Sequence, residues 1–162
     1  MDGLATLNTA TPAAAEAALA ACCASHRWAR RIIEHRPYPD VSALLAAADE
    51  ASYDLTPGDL AEALISEPAP LPAAAAVRPS SRTALRAAHA AYESRFGHAF
   101  VLCLDGFAAD ERLDQVLAGI RTRLANEPEE ERAVAKEELR RLARARLRRL
   151  VTTDSDRLIP SS

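Results

Sequence analysis

The sequence predicts an all-α protein, a single compact domain of about six to eight helices with no sheet. Three observations carry that reading. Of the 162 residues 37 are alanine, so nearly half of the 49% hydrophobic fraction is the smallest apolar side chain, and only 4% is aromatic. A core of that composition is made by helices approaching closely through Ala and Leu. Thr11-Pro12 and Thr56-Pro57 each join an N-cap hydroxyl to a proline at the first helical position, a pairing that opens helices. The single strand-like run, Phe100 to Leu104, has no second run to pair with. At 17.4 kDa the chain is the size of one ordinary domain, which excludes two large ones.

The first helix opens at Thr11 and is expected to run to about Ala24. Ser25 caps a second that carries Trp28 and Ile32 and ends at Arg36-Pro37-Tyr38-Pro39, because two prolines cannot continue helical hydrogen bonding. Asp40 caps a third with Val41, Leu44, Leu45 and Ala48 at helical spacing, and Thr56 opens a fourth with Leu60 and Leu64. From Glu67 to Ser81 the chain reads EPAPLPAAAAVRPSS, whose four prolines imply a loop or short broken turns. After Ser81 a helix places Leu85, Ala88, Tyr92 and Phe96 on one face and stops at Gly97. Phe100 to Leu104 then reads as a buried extended connector. Two long helices follow, about Asp110 to Ala125 and about Pro128 to Val151, the second with Glu129-Glu130-Glu131 at its positive end. The helical domain is expected over residues 1–152, with the Pro/Ala-rich segment 67–81 inside it and a flexible tail at 153–162.

A net charge of −3 and a pI near 5.8 exclude a general nucleic-acid binder working through an overall basic field. The cysteines, Cys22, Cys23 and Cys103, are odd in number and contain no C-x-x-C, and they read as reduced thiols. No apolar run reaches transmembrane length, and Asp2 and Glu16 spoil a signal-peptide reading of Ala13 to Cys23. A cytoplasmic protein without a membrane partner is expected. No G-x-S-x-G, phosphate-binding loop or dinucleotide fingerprint occurs, and no two of His26, His35, His89 and His98 stand at i, i+4, so neither cofactor nor metal is expected.

Six arginines crowd the last helix: Arg140, Arg141, Arg144, Arg146, Arg148 and Arg149. With Leu139, Leu142, Ala143 and Leu150 as the inward stripe, Arg146 falls about 20° from Leu139, because seven residues at about 100° each come almost full circle. Arg146 is therefore either an anion-binding residue or one half of an internal salt bridge. The other five read as a solvated face pairing with acidic neighbours, and no nucleic-acid partner is expected. His89 follows Leu85 by four and precedes Tyr92 by three, so it faces inward. It is either a pocket residue or a core histidine satisfied by a hydrogen bond.

Several segments, in order, resemble the 2-oxo-4-hydroxy-4-carboxy-5-ureidoimidazoline (OHCU) decarboxylase family. They are Leu7-Asn8, Cys23-Ala24-Ser25-His26-Arg27-Trp28 against the family's C-G-S-x-x-W, Arg36-Pro37-Tyr38 against R-P-F, and Tyr92 to Phe100 against Y-x-x-x-F-G-x-x-F, with Gly106 following. Arg123-Leu124-Ala125-Asn126, Glu137-Glu138-Leu139 and Arg146-Leu147 then resemble R-L-x-N, A-x-x-E-L and a terminal R-L.

The resemblance implies a compact all-α fold, often a homodimer, that needs no metal or organic cofactor and converts an unstable ureidoimidazoline acid into (S)-allantoin in urate degradation. The family works through an H-P pair, a Glu in S-x-x-E-Q and a terminal-helix Arg. Arg146 matches that arginine and Pro68 the proline, so both are implied to bind the small anionic substrate. Glu67 stands where the family has histidine, and S-x-x-E-Q counted from Ser81 ends on Ala84 and Leu85. His89 stands where the family usually has the Asn of L-N-x-x-Y. Glu67 and His89 are left as the catalytic candidates for proton work.

Loss of CO₂ leaves electrons that the substrate's conjugated ring can hold, so the protein need only bind, orient and protonate one face. A positioned acid or base contributes about 10²–10⁴ in rate. A second expectation therefore stands beside the first: a catalytically degenerate or repurposed family member that binds a ligand or partner.

Overall fold

The computed structural model describes residues 2–70 and 78–156, with side chains as far as 152. Among the described residues there are eight α-helices and no strand. None of these helices is long and apolar enough to cross a membrane. The chain divides into two compact units, Met1–Ala63 with Arg140–Ser162, and Leu64–Leu139.

The first unit begins with a helix the sequence reading lacked, α1 (Gly3–Thr9), capped by Asp2, whose carboxylate accepts the Ala5 N–H at 2.6 Å. A Cβ on Gly3 would lie 2.6 Å from the Val151 backbone, so only glycine permits this approach to helix α8 (Pro128–Asp156). Helix α2 (Pro12–Ala20) opens at Thr11 as expected but ends four residues before Ala24. The Leu19 carbonyl accepts the N–H groups of both Cys22 and Cys23, and the resulting turn leaves Ser25 to cap α3 (His26–Glu34). Trp28 of α3 is fully buried, its indole N–H shared between the Ala48 carbonyl and Ser52 Oγ of α4 (Val41–Tyr53). Truncating it to alanine costs about 3–5 kcal/mol.

The loop between α3 and α4 is tied back to α1. Asn8 Nδ2 donates to the Tyr38 carbonyl at 3.0 Å, and the Tyr38 N–H donates to Asn8 Oδ1 at 2.8 Å. Arg36 donates to the carbonyls of Leu7 and Ala10, both at 2.8 Å, and so satisfies groups at the end of α1. Leu7-Asn8 and Arg36-Pro37-Tyr38, 28 residues apart in sequence numbering at Asn8 and Arg36, are one structural staple.

Helix α5 (Pro57–Ser66) crosses the division into the second unit. Helix α6 (Pro79–Phe96) begins at Pro79 and not after Ser81, so the last residues of the proline-rich segment 67–81 are already helical, with proline at N1 where its missing N–H costs nothing. Residues 71–77 lie outside the described residues. Gly97 ends α6 at φ 76°, its N–H bonding the Glu93 carbonyl at 2.8 Å. Phe100 and Val101 are buried in an extended connector, as expected. Helix α7 (Arg112–Arg123) is shorter by two residues at each end than expected. Leu85, Tyr92, Phe100, Val116 and Ile120 form the core of this unit.

On α8 the buried positions are Glu131, Ala135, Leu139, Ala143, Leu147 and Val151, one every fourth residue. Each step of four overshoots a full turn by about 40°, so the stripe winds around the helix. Leu150, expected inward, is therefore 38% exposed, and Val151 takes its place. The helix continues to Asp156, and the remainder of segment 153–162 lies outside the described residues.

Candidate functional site

Glu67, Pro68 and His89 belong to the second unit and Arg146 to the first. Glu67 is buried just past the end of α5, its N–H reaching the Leu64 carbonyl at 3.4 Å, while Pro68 is exposed. His89 is where its spacing put it, on the inward side of α6 between Leu85 and Tyr92, and only 8% exposed. Its ring stands edge-on to Phe100, with centroids 6.0 Å apart at 63°. Among the described residues neither ring nitrogen has a partner in hydrogen-bond geometry. The polar group turned towards it is the Pro70 carbonyl. The two readings of His89 turn on that carbonyl: a core histidine would be satisfied by it, whereas a pocket histidine would keep its nitrogens for a ligand. Burial holds the imidazole below the ordinary histidine pKa, with the Glu93 charge and the Pro70 carbonyl pulling the other way. The ring is therefore neutral at pH 7, one nitrogen a donor and the other an acceptor.

Behind Phe100 lies a polar cluster that the sequence reading did not single out. Glu131 is fully buried and accepts Arg123 Nε at 2.7 Å and the Tyr92 hydroxyl at 2.5 Å on one oxygen, which also lies 2.6 Å from Arg123 Nη2 as an ion pair outside hydrogen-bond geometry, with Asn126 Nδ2 at 3.1 Å on the other oxygen. Arg123 Nη1 also donates to the Val101 carbonyl at 2.5 Å, and its guanidinium sits 4.2 Å over the Phe100 ring. Burial and the bond to Glu131 raise the Tyr92 pKa, so the phenol stays a donor. The signal was present in the sequence: Glu131 extends the run Ala135, Leu139, Ala143 backwards by one step of four. Charge alone had placed it with its neighbours at the helix terminus.

Arg146 is half-buried and donates to the Cys22 carbonyl at 3.2 Å. It flanks the winding stripe beside Leu147 and does not lie within it. The Cys22 thiol is pushed up to about 11 by burial, against the pull of Arg146 and Arg149. Two of the arginines expected to pair with acidic neighbours do so with Asp49 of α4, Arg140 at 2.9 Å and Arg144 at 2.5 Å, and both are partly buried there. A surface basin of about 410 Å³ between α3 and α5 is lined by His26, Arg27, Arg30 and Glu62 among others, and by none of the four candidate residues. Among the described residues no three His, Cys, Asp or Glu side chains gather as a metal site.

The profile of the OHCU decarboxylase family matches residues 8–70 and 71–148. No curated protein matches the chain by sequence. Among solved structures, one described as (S)-allantoin synthase superposes with a TM-score of 0.71 at 20% identity, covering 91% of this chain and 54% of that one. The chain thus spans about half the length of that relative. Another, OHCU decarboxylase in the presence of (S)-allantoin, superposes with a TM-score of 0.70 at 20% identity, covering 82% of this chain and 95% of that one. At this identity the two likenesses speak for the fold.

Proposed function

The chain belongs to the OHCU decarboxylase family, and from that premise we propose that it decarboxylates a ureidoimidazoline acid to (S)-allantoin, or a closely related small ureide or carboxylate, without a cofactor. The observation that supports this reading is His89: a buried, neutral imidazole, neither of whose nitrogens has a partner in hydrogen-bond geometry among the described residues, is a group ready to take up a proton and pass it on. In this reading Glu67, which stands where the family has histidine and lies in the same unit as His89, shares the proton work. As CO₂ leaves, its bonding electron pair passes into the substrate's conjugated ring. The imidazole takes up a proton on its free nitrogen and, as the imidazolium, passes it to one face of the carbon that CO₂ left, which returns the ring to neutrality and fixes the product's handedness. The free thiols of Cys22, Cys23 and Cys103 support the cytoplasmic setting of this proposal.

The test is optical. With the substrate generated from urate by the two preceding enzymes, circular dichroism follows the excess of (S)-allantoin over the racemate of spontaneous decay. The expected result is a rate above background that falls about 10²-fold or more in His89→Gln. A folded protein that yields only racemate overturns the decarboxylase reading. The second reading, a repurposed binding protein, is favoured by one observation: the histidine of the family's H-P pair is Glu67 here. Saturable binding of (S)-allantoin without turnover would establish it.

A further inference from the structure

The proton-handling role of His89 depends on an imidazole held still, and α6 alone does not supply that. Its visible support is Phe100. That ring is fully buried and is gripped from several sides within the second unit. The Arg123 guanidinium lies 4.2 Å over its centre. Tyr92 meets it at 82° with centroids 5.1 Å apart. Gly119 of α7 lets it approach so closely that a Cβ there would stand 3.2 Å from Phe100 Cζ. Arg123 in turn is held at two nitrogens: Nε donates to Glu131 and Nη1 to the Val101 carbonyl, on the residue next to Phe100, while Nη2 lies 2.6 Å from Glu131 in the ion pair. The guanidinium therefore holds both the ring and the backbone that carries it.

We propose that Arg123 is a positioning residue for His89 and acts through Phe100, pinning the phenyl ring so that it fixes the imidazole and walls it from water. This rests on the reading of His89 as the proton-handling group. The arrangement explains why a buried ion pair stands behind an apolar core residue. A hydrophobic pair of similar volume would fill the space at no less stability, but only a guanidinium bonded along its edge can stand over Phe100 and hold the Val101 carbonyl at once. It also fits the ring's neutrality, since the wall is part of what strips water from His89. The other groups facing the imidazole are the Glu93 carboxylate on its own helix and the Pro70 carbonyl, and both favour the charged form. Loosening the wall admits water on their side of the balance.

The experiment reads His89 directly. The imidazole's ¹⁵N shifts are followed through a pH titration in the full-length protein, in Arg123→Lys and in Gly119→Ala, with the pH profile of kcat measured in parallel. Arg123→Lys keeps the charge and loses the forked guanidinium that reaches Phe100, Glu131 and Val101 together. Gly119→Ala leaves the ion pair intact and displaces Phe100 by a few tenths of an ångström. In both, the His89 pKa is expected to move up towards the ordinary histidine value and the limb of the kcat profile that His89 sets to move with it, while KM changes less than twofold. Phe100→Leu is the control if Arg123→Lys does not fold, and it should move His89 the same way. Cooperatively folded variants with unchanged His89 titration overturn the proposal. A wild-type protein with no activity, but with His89 responding to Arg123 and Gly119, leaves the positioning device standing and removes only the decarboxylase reading.

Discussion

Each unit carries a cluster of arginine and carboxylate, built from the same chemical groups at different depths. In the second unit the Arg123 and Glu131 side chains are 8% and 0% exposed, and Arg123 Nε and Nη1 and both Glu131 oxygens are hydrogen-bonded. In the first, Asp49 holds Arg140 and Arg144 at the rim, with Arg144 37% exposed and reaching the Leu45 carbonyl only at 3.5 Å. Charges that keep contact with water interact through a high dielectric and lose little when a partner is removed, whereas a buried partner left behind is an uncompensated charge. The rim cluster is replaceable decoration on a helix pair. The buried one is part of the architecture of its unit.

The sharpest way to break that contrast is to truncate both. Arg123→Ala should destabilise by about 3–5 kcal/mol, because Glu131 is left charged in the core, and urea unfolding followed by far-UV circular dichroism would measure it. Acid comes next. His89 is neutral in the folded chain with its pKa lowered, while the unfolded chain takes up that proton near pH 6.5. The stability this group protects is complete above about pH 6.5 and drains as pH falls through the lowered folded value, at a limiting slope of about 1.4 kcal/mol per pH unit. His89→Phe should flatten that slope between pH 7.5 and 5.5. Tyr92→Phe removes one of the three hydrogen bonds to Glu131 seen among the described residues and should cost about 1 kcal/mol; a loss as large as that of Arg123→Ala would show the phenol, not the guanidinium, to be the keystone. Smallest is Asp49→Ala, expected to cost about 1 kcal/mol or less and to shrink further in 0.5 M salt, with the melting temperature as the measure.

The same contrast explains which features could be read from the sequence. Caps are local chemistry, so Thr11, Ser25, Asp40 and Gly97 mark helix ends in the sequence and do so in the structure. Helix α1 escaped because its reason is distant: Gly3 serves the Val151 backbone, about 150 positions away. Leu150 was misplaced by assuming a fixed stripe, when steps of four turn it around α8. The inward side of His89 followed from its offsets to Leu85 and Tyr92, but the bare ring nitrogens and the wall of Phe100 depend on which segments fold together. Glu131 looked like a helix-terminus carboxylate because Glu129 and Glu130 beside it are exposed. Arg123, Asn126 and Tyr92 appeared only as letters of separate motifs, and the carboxylate that unites them belonged to none.

The thiols placed by the α2–α3 turn make the protein its own stopwatch. Cys22 and Cys23 are shut inside the first unit, and Cys103 is half-buried in the second. Cys22 is mostly protonated at neutral pH as well as covered, so an alkylating reagent meets it only when the Leu19 turn springs open. Labelling rates resolved cysteine by cysteine would time the breathing of each unit separately, in the untouched protein and without any introduced dye.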